Sequence, residues 1–243
     1  MKTIGLVILF YLMSALHAEG QNRNYFRNTN SEPKVNVGIK AGFNSSLFSI
    51  DHLTIGGQKI SNIQNNYKVG YLGAIFCRIN MKRHHFLQTE FSYNISNGSV
   101  SANRNAENQD IISDRILIKT TIHSIDLPLL YGYKFIDSYP YGMAFFLGPK
   151  VAYTWERHTK NEYSGFYQQD INEELHPLTF SGVVGLAVNI ANIFFDFRYE
   201  AGFHNFTKDV SFDKQLTSAP YNEQEIRIKR RRNVLSFSVG VIF

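Results

Sequence analysis

The last eleven residues, 233–243, constrain the fold most strongly because they alternate strictly between two kinds of side chain. Every second residue is apolar: Leu235, Phe237, Val239, Val241 and Phe243. The other row is small and mostly polar: Ser236, Ser238, Gly240 and Ile242. A period of two predicts a β-strand. Such a strand suits a barrel wall with its apolar row in lipid, and it also suits the last strand of a soluble β-sandwich. The rest of the chain decides between them.

Seven further segments alternate in the same way, and the connections between them are in turn long and short. The predicted strands cover residues 34–48, 67–80, 86–96, 116–135, 141–156, 177–191 and 193–206, and an eighth begins near residue 225. Short turns at one end and long loops at the other are typical of bacterial outer-membrane barrels. The sequence therefore predicts an all-β fold: an eight-stranded antiparallel up-and-down transmembrane β-barrel over residues 34–243. It predicts no helix within that range, and an irregularity at Pro128, which cannot donate to a sheet.

The N-terminal residues have the features of an export signal. Lys2 is followed by an apolar run over residues 4–13 and by the small-residue cleavage pattern Ala18-Glu19-Gly20. We expect residues 1–20 to be a cleaved signal peptide and 21–33, which are polar and rich in asparagine, to be a flexible periplasmic segment. No later stretch has the roughly 18 continuous apolar residues of a spanning helix. The expected location is the outer membrane of a Gram-negative bacterium.

The predicted inward rows carry a balanced set of charges. They contain Lys40, Arg78, Glu90, Asp126, Lys134, Lys150, Asp196, Arg198 and Glu200. An eight-stranded barrel has an interior just wide enough for side chains to fill, and buried charges must pair. We therefore predict a network of ion pairs that closes the lumen. A catalytic role for Asp126 or Glu200 is the alternative, but paired ions explain the same residues.

Motifs for chemistry are sparse. The sequence contains no nucleophile elbow, zinc-protease, phosphate-loop or dinucleotide motif. His158 and His176 flank one predicted outer loop, but two histidines without a fixed scaffold are a weak metal signal. The single cysteine, Cys77, excludes an intramolecular disulfide. A net charge of +5 without a recognisable binding motif does not indicate a nucleic-acid partner. We expect no enzyme activity, cofactor or metal.

A basic cluster lies at the start of the last strand. If the alternation continues upward, Arg227, Lys229 and Arg231 face outward at the outer-leaflet boundary, and Arg230 and Arg232 face inward. Outward arginines and lysines at that height would meet lipopolysaccharide phosphates. The alternative is that the cluster pairs with acidic residues of the loops above.

Four motifs resemble those of one family. Segment 38–44, G-I-K-A-G-F-N, is similar to the G-x-K-x-G-x-N opening of the PorT-like outer-membrane β-barrels of Bacteroidetes. Segment 124–135, S-I-D-L-P-L-L-Y-G-Y-K-F, is similar to their central signature, although Gly132 stands where lysine is common and Lys134 follows the tyrosine. Leu147-Gly148-Pro149 and Arg198-Tyr199 also fit.

The resemblance covers nearly all of the predicted mature chain and implies fold and location more than activity. From the paired inward charges and the long connections, together with this resemblance, we expect a non-enzymatic envelope protein with a plugged lumen and long extracellular loops, in a structural, adhesion or secretion-associated role. Expected partners are outer-membrane lipid, lipopolysaccharide and other envelope or secretion proteins. A lipid-modifying hydrolase or acyltransferase is the main alternative, and a narrow pore is the third.

Overall fold

A computed structural model describes residues 34–60, 63–82, 84–103, 115–155 and 160–243. The range Lys34–Ile242 forms one compact unit. The predicted signal peptide and the segment 21–33 lie outside the described residues. The strands are β1 Val35–Ile55, β2 Gln58–Lys59, β3 Gln64–Tyr67, β4 Val69–Asn80, β5 His85–Asn103, β6 Arg115–Ser138, β7 Tyr141–Thr154, β8 Lys160–Ser164, β9 Gln169–Leu175, β10 Leu178–Ile190, β11 Ile193–Gly202, β12 Thr207–Asp213 and β13 Ile226–Ile242.

Eight of these strands pair with one another in a closed ring. The order is β1, β4, β5, β6, β7, β10, β11 and β13, every pair is antiparallel, and β13 pairs back onto β1. Closure leaves these strands without a free edge, which is the form a sheet needs in a medium that cannot hydrogen-bond to it. The predicted all-β antiparallel fold is confirmed.

The two faces of the ring differ in the way that the alternation predicts. The side chains that point outward are mostly apolar or aromatic and stay exposed, as at Phe43, Ile75, Phe91 and Leu147. Their inward neighbours along the same strands are buried. A sheet that exposes its apolar face and buries its charged face is inverted relative to a soluble sandwich.

Four strands continue past the ring and build what we call the outer cap. The cap consists of the distal ends of β1, β5, β6 and β13 together with β2, β3, β8 and the two-stranded β9–β12 sheet. Its interior is apolar, and its buried members are Leu53, Ile55, Ile60, Ala102, Ile116, Ile118, Ile226 and Ile228. The β9–β12 residues Ile171, Val210 and Phe212 pack against this cluster.

Several segments that the sequence predicted to be long loops contain strands, so the predicted loop boundaries are wrong there. The alternation over 49–55 was hidden by a bulge between Ile50 and His52, which moves the buried row of β1 from even to odd positions. β5 reaches Asn103, and a turn of 3-10 helix, Tyr221–Glu223, lies where no helix was expected. Within the described residues no helix has the length and apolar character needed to cross a membrane.

The irregularity predicted at Pro128 takes a milder form. The pairing of β5 with β6 is interrupted between Thr89↔Leu129 and Ser92↔Asp126, but the register on either side is the same. The register shift of β6 lies instead between Lys134 and Ile136, against β7. Proline removes one ladder hydrogen bond here without adding a residue to the strand.

The ion-paired lumen and the outer cap

The centre of the lumen holds a cluster of two bases and two acids from β1, β5 and β11. Arg198 donates from Nη1 to Glu90 Oε2 at 2.9 Å and from Nη2 to Glu90 Oε1 at 2.6 Å, a bidentate contact across the ring. Arg198 Nε also donates to Asp196 Oδ1 at 2.7 Å. Lys40 Nζ lies 2.9 Å from Glu90 Oε2 and 3.0 Å from Asp196 Oδ2. All four side chains are buried, so each charge is compensated inside the lumen.

A second cluster lies among β5, β6, β7 and β11. Lys150 Nζ donates to Asp126 Oδ2 at 2.7 Å and also binds the carboxylate of Glu200. Asn94 Nδ2 donates to the same Asp126 oxygen at 2.9 Å. The register explains the contact, because Asp126 and Lys150 lie two positions apart on adjacent strands and face the same side.

The remaining two predicted lumen residues are Arg78, which reaches the central cluster through Gln88, and Lys134, which lies at one end of the ring. Arg78 Nε donates to Gln88 Oε1 at 2.7 Å, and its guanidinium stands 4.5 Å from the centre of the Phe86 ring. Gln88 Nε2 donates to Glu90 Oε1 at 2.5 Å and so links Arg78 to the central cluster. Lys134 Nζ lies 3.9 Å from Asp137 at the end of the ring that carries the short turns.

Aromatic rings fill the space between the charges. Phe86, Leu130, Ala144, Phe146, Val183 and Ala187 form one buried cluster, and Phe194 meets Phe76 edge-on at 5.0 Å. Gly132 faces Phe86 and Gly240 faces Phe194 so closely that a Cβ at either glycine would collide with the ring. Sequence reasoning found the charges by their alternation, but it did not identify this fit of rings over glycines on neighbouring strands.

The outer cap is held by a buried polar contact that we call the cap latch, between Arg230 on β13 and Glu173 on β9. The guanidinium is fully buried, binds the Glu173 carboxylate and donates from Nη1 to Thr120 Oγ1 at 2.9 Å. Glu173 also accepts hydrogen bonds from Tyr163 and Thr207, each at 2.6 Å. The Phe206 ring centre lies 4.9 Å from the guanidinium carbon. The latch therefore ties the β9–β12 sheet to the distal part of β13, a strand that continues into the ring.

The latch changes the acidity of its tyrosine. Burial raises the pKa of the Tyr163 phenol, and the adjacent Glu173 carboxylate raises that pKa further. Tyr163 therefore stays protonated and keeps donating to Glu173. The alternation places Arg230 inward, and the alternative interpretation of the basic cluster was that it pairs with acidic residues of the loops above; the contact of Arg230 with Glu173 is a pair of that kind.

The structure places the three basic residues predicted to face lipopolysaccharide on one exposed row of β13. Arg227, Lys229 and Arg231 alternate with the buried Ile228 and Arg230. Arg227 Nη2 lies 2.9 Å from Glu225 in an exposed ion pair. Exposed pairs of this kind contribute little to stability. The row starts just above the apolar residues Leu235 and Phe237 of the same strand.

A narrow recess of about 20 Å³, enough for a single water molecule, opens beside the ends of β7, β10 and β11. Its lining includes Ser181, His176, His204, Glu200 and Arg232. Among the described residues no hydrogen bond joins Ser181 to either histidine, and Glu200 is bound to Lys150.

The weak metal signal in the sequence came from His158 and His176. His158 lies outside the described residues, and those described contain no group of three histidine, cysteine or acidic side chains suited to a metal.

A closed antiparallel ring with an apolar exterior and a charged, paired interior defines the class of outer-membrane β-barrel proteins. The sequence matches the family described as "Outer membrane protein beta-barrel domain" over residues 20–208, and the chain belongs to that family. No curated protein sequence matches the chain.

Solved structures extend the comparison at the level of fold. The chain is similar to the outer membrane protein OprG from Pseudomonas aeruginosa, with a TM-score of 0.58 and 11% identity over 89% of this chain and 99% of that one. Two weaker matches follow. The first is Ail, the attachment invasion locus protein of Yersinia pestis, with a TM-score of 0.38 and 12% identity over 87% of this chain and 100% of that one. The second is Neisserial surface protein A, with a TM-score of 0.36 and 12% identity over 87% of this chain and 99% of that one.

Proposed function

We propose that this chain is an eight-stranded barrel that spans the outer membrane, with a lumen closed by ion pairs and a rigid extracellular cap. The observation that carries the proposal is the bidentate contact of Arg198 with Glu90 across the interior of a ring whose outer face is apolar. An integral protein of this form has no aqueous path along its axis. Its function then lies on its surfaces, as a non-enzymatic envelope protein.

The extracellular cap is the surface offered to partners. Its own hydrophobic core and the cap latch hold it in one conformation, and a rigid scaffold presents binding residues at low entropic cost. A structural, adhesion or secretion-associated role, and membership of the PorT-like group of Bacteroidetes, rest on the motifs at 38–44 and 124–135. Co-purification from native outer membrane with cap-exposed crosslinkers tests this part, and the absence of any crosslinked envelope protein would contradict it.

A closed lumen is tested by electrical recording. Purified protein reconstituted in planar bilayers should show no steady conductance, because the central cluster fills the cross-section. The variants Glu90→Ala and Arg198→Ala shorten the side chains on the two sides of that contact, so their combination should admit ions where the parent does not. Steady conductance of the parent would reject the closed lumen and favour a narrow pore.

Among the described residues, the recess beside β10 brings a serine and two histidines together, so a lipid-modifying activity is tested there. Lipid A deacylation and palmitoylation assays on the reconstituted parent should give no product above a Ser181→Ala control. Product formed by the parent and lost in that variant would overturn the non-enzymatic assignment.

The basic row of β13 supports a contact with lipopolysaccharide at the outer leaflet. Replacing Lys229 and Arg231 by alanine should reduce the stabilisation that lipopolysaccharide gives to the barrel, since each basic residue near an anionic surface contributes roughly 1 kcal/mol. Replacing Lys208 and Lys214 on the cap removes the same charge and serves as the control. Equal stabilisation of all three proteins would reject the lipid contact and leave pairing with loop acids.

A further inference from the structure

A groove of about 500 Å³ lies on the outer surface where β3, β5, β6 and β8 meet. The register sets its side chains in rows: Asn97 on β5 pairs with Thr121 on β6, which pairs with Lys160 on β8. One step further out, Lys119 on β6 pairs with Glu162 on β8. Alternation along each strand points these rows to the same outer face.

Hydrogen bonds fix the floor of the groove. Thr121 Oγ1 donates to Asn97 Oδ1 at 2.9 Å, and Asn97 Nδ2 donates to the carbonyl oxygen of Val69 at 2.9 Å. The second contact joins β5 to the first residue of β4, just beyond the point where β3 gives way to β4. The polar lining is therefore held in place by the sheet and does not depend on flexible loops.

Three lysines and one glutamate line the groove. Lys119 Nζ lies 3.0 Å from Glu162, which is the one acid among the described residues of the lining. Lys68 and Lys160 are exposed, and among the described residues neither has an acidic partner within 4.0 Å. Two ammonium groups that share one groove without a counter-ion favour an anion between them.

The position of the groove relative to the apolar outer face of the ring indicates which anion could reach it. Val69 forms the lower edge of the groove, and below it the outward row continues with the aromatic residues Tyr71 and Tyr93. Tyr93 is hydrogen-bonded to His123 Nδ1 at 2.7 Å. Aromatic side chains with a polar tip mark the edge of the hydrocarbon region in barrels. A groove that begins directly above this edge on the extracellular side lies at the level of the outer-leaflet phosphates.

We propose that this lysine groove binds a phosphate of the lipopolysaccharide headgroup, with Lys68 and Lys160 as its ligands. The proposal rests on the outer-membrane location proposed above. The groove is a separate site from the basic row of β13, because β5 and β6 lie three and four positions from β13 in the ring of eight strands.

The test uses the full mature barrel in phosphatidylcholine nanodiscs that carry rising fractions of bisphosphorylated lipid A. Because a ligand of the folded state raises the unfolding midpoint by mass action, the midpoint reports occupancy. The Lys68→Ala, Lys160→Ala double variant should need about thirtyfold more lipid A than the parent for the same shift, which is about fivefold for each lysine. Glu162→Gln should need less lipid A than the parent.

Controls separate the groove from charge in general and from membrane insertion. The Lys208→Ala, Lys214→Ala variant should follow the parent curve, and dephosphorylated lipid A should act equally on all variants. Identical curves for the parent and the Lys68, Lys160 variant would overturn the proposal, as would an equal shift produced by inorganic phosphate without lipid A. Failure of the parent to insert into nanodiscs would instead contradict the proposed membrane barrel.

Discussion

At the scale of single residues, the interior of the ring depends on buried charges that hold one another in place. Arg198 contacts both Glu90 and Asp196, and Lys40 contacts the same two acids. Removing one partner from a buried network costs more than the net contribution of the pair, because the remaining charges stay desolvated. The cluster therefore responds sharply to neutralisation of any one member.

The first prediction is that Arg198→Ala destabilises the barrel by about 3 kcal/mol or more, since two buried carboxylates lose their shared guanidinium. The measurement is the urea midpoint of the folded band in semi-native electrophoresis. Arg227→Ala is the matched control, because its ion pair with Glu225 is exposed and should shift the midpoint by at most about 0.5 kcal/mol. A parent-like midpoint for Arg198→Ala would show that water reaches the lumen.

The second prediction concerns Tyr163, whose pKa is raised in the folded cap. In the unfolded cap the phenol loses its proton near its usual pKa of about 10, whereas in the folded cap it keeps the proton. The raised folded-state pKa means that this stability is fully present below pH 10 and is lost as pH rises above it. Proteolytic cleavage of the cap should therefore accelerate above pH 10.

Tyr163→Phe is the control for that titration. Phenylalanine has no phenolic proton, so the part of the alkaline acceleration that belongs to Tyr163 should disappear in this variant. At neutral pH the cap of the variant should be less stable than the parent cap, because Glu173 loses a hydrogen-bond donor. The comparison removes the contribution of the other 13 of the 14 tyrosines, which both proteins share. The same alkaline slope in both proteins would contradict the role of Tyr163 in the cap latch.

At the scale of elements, the ring and the outer cap have separate cores. Ile118 is 1% exposed inside the cap, whereas Leu130, on the same strand and also 1% exposed, packs in the lumen cluster with Phe86 and Phe146. One strand, β6, thus contributes to both cores. The two parts should respond separately to loss of apolar contacts.

The third prediction compares these two positions. Ile118→Ala should expose the cap to protease while leaving the heat-modifiable migration of the barrel unchanged, and Leu130→Ala should lower the unfolding midpoint of the barrel. Each substitution removes a buried aliphatic side chain, at a cost of about 2–5 kcal/mol in its own core. A coupled loss of both readouts in either variant would show that ring and cap unfold as one unit.

The sequence predicts elements best where a strand faces two contrasting media. The alternation at Lys40, Asp126, Asp196 and Arg198 is regular because one side must be apolar and the other must hold paired charges. In the cap, the outer face is polar and the inner face is covered by another segment of chain. The contrast is therefore weaker, and residues 97–103 resemble a loop in the sequence although they form the end of β5.

Long-range partners are the part of the site that one sequence does not reveal. The contact of Lys40 with Asp196 joins β1 and β11, which lie on either side of β13 in the ring. The pairing of β9 with β12 brings together segments on either side of β10 and β11. Alternation fixes which face a residue occupies, but it does not fix which residue lies opposite. Glu173 illustrates this, because a buried latch and an exposed loop acid look alike in the sequence.

At the scale of the whole molecule, the proposed ring spans a bilayer with its apolar face in lipid and its ion pairs inside. The most direct test is spin-label accessibility along β6, in a Cys77→Ala background that removes the single native cysteine. Labels are placed in turn at residues 124–133 of the reconstituted protein. Collision with lipid-dissolved oxygen and with a water-soluble nickel chelate is then measured at each position.

For a ring in lipid, the collision frequencies along β6 should alternate with a period of two residues. Labels at Ile125, Leu127, Leu129 and Tyr131 should collide with oxygen and be shielded from the chelate, because these side chains face outward. Labels at the buried positions Ser124, Asp126 and Leu130 should be shielded from both reagents. Chelate collisions at the outward positions as frequent as at the exposed cap residue Lys119 would contradict the claim, since the apolar face would then lie in water.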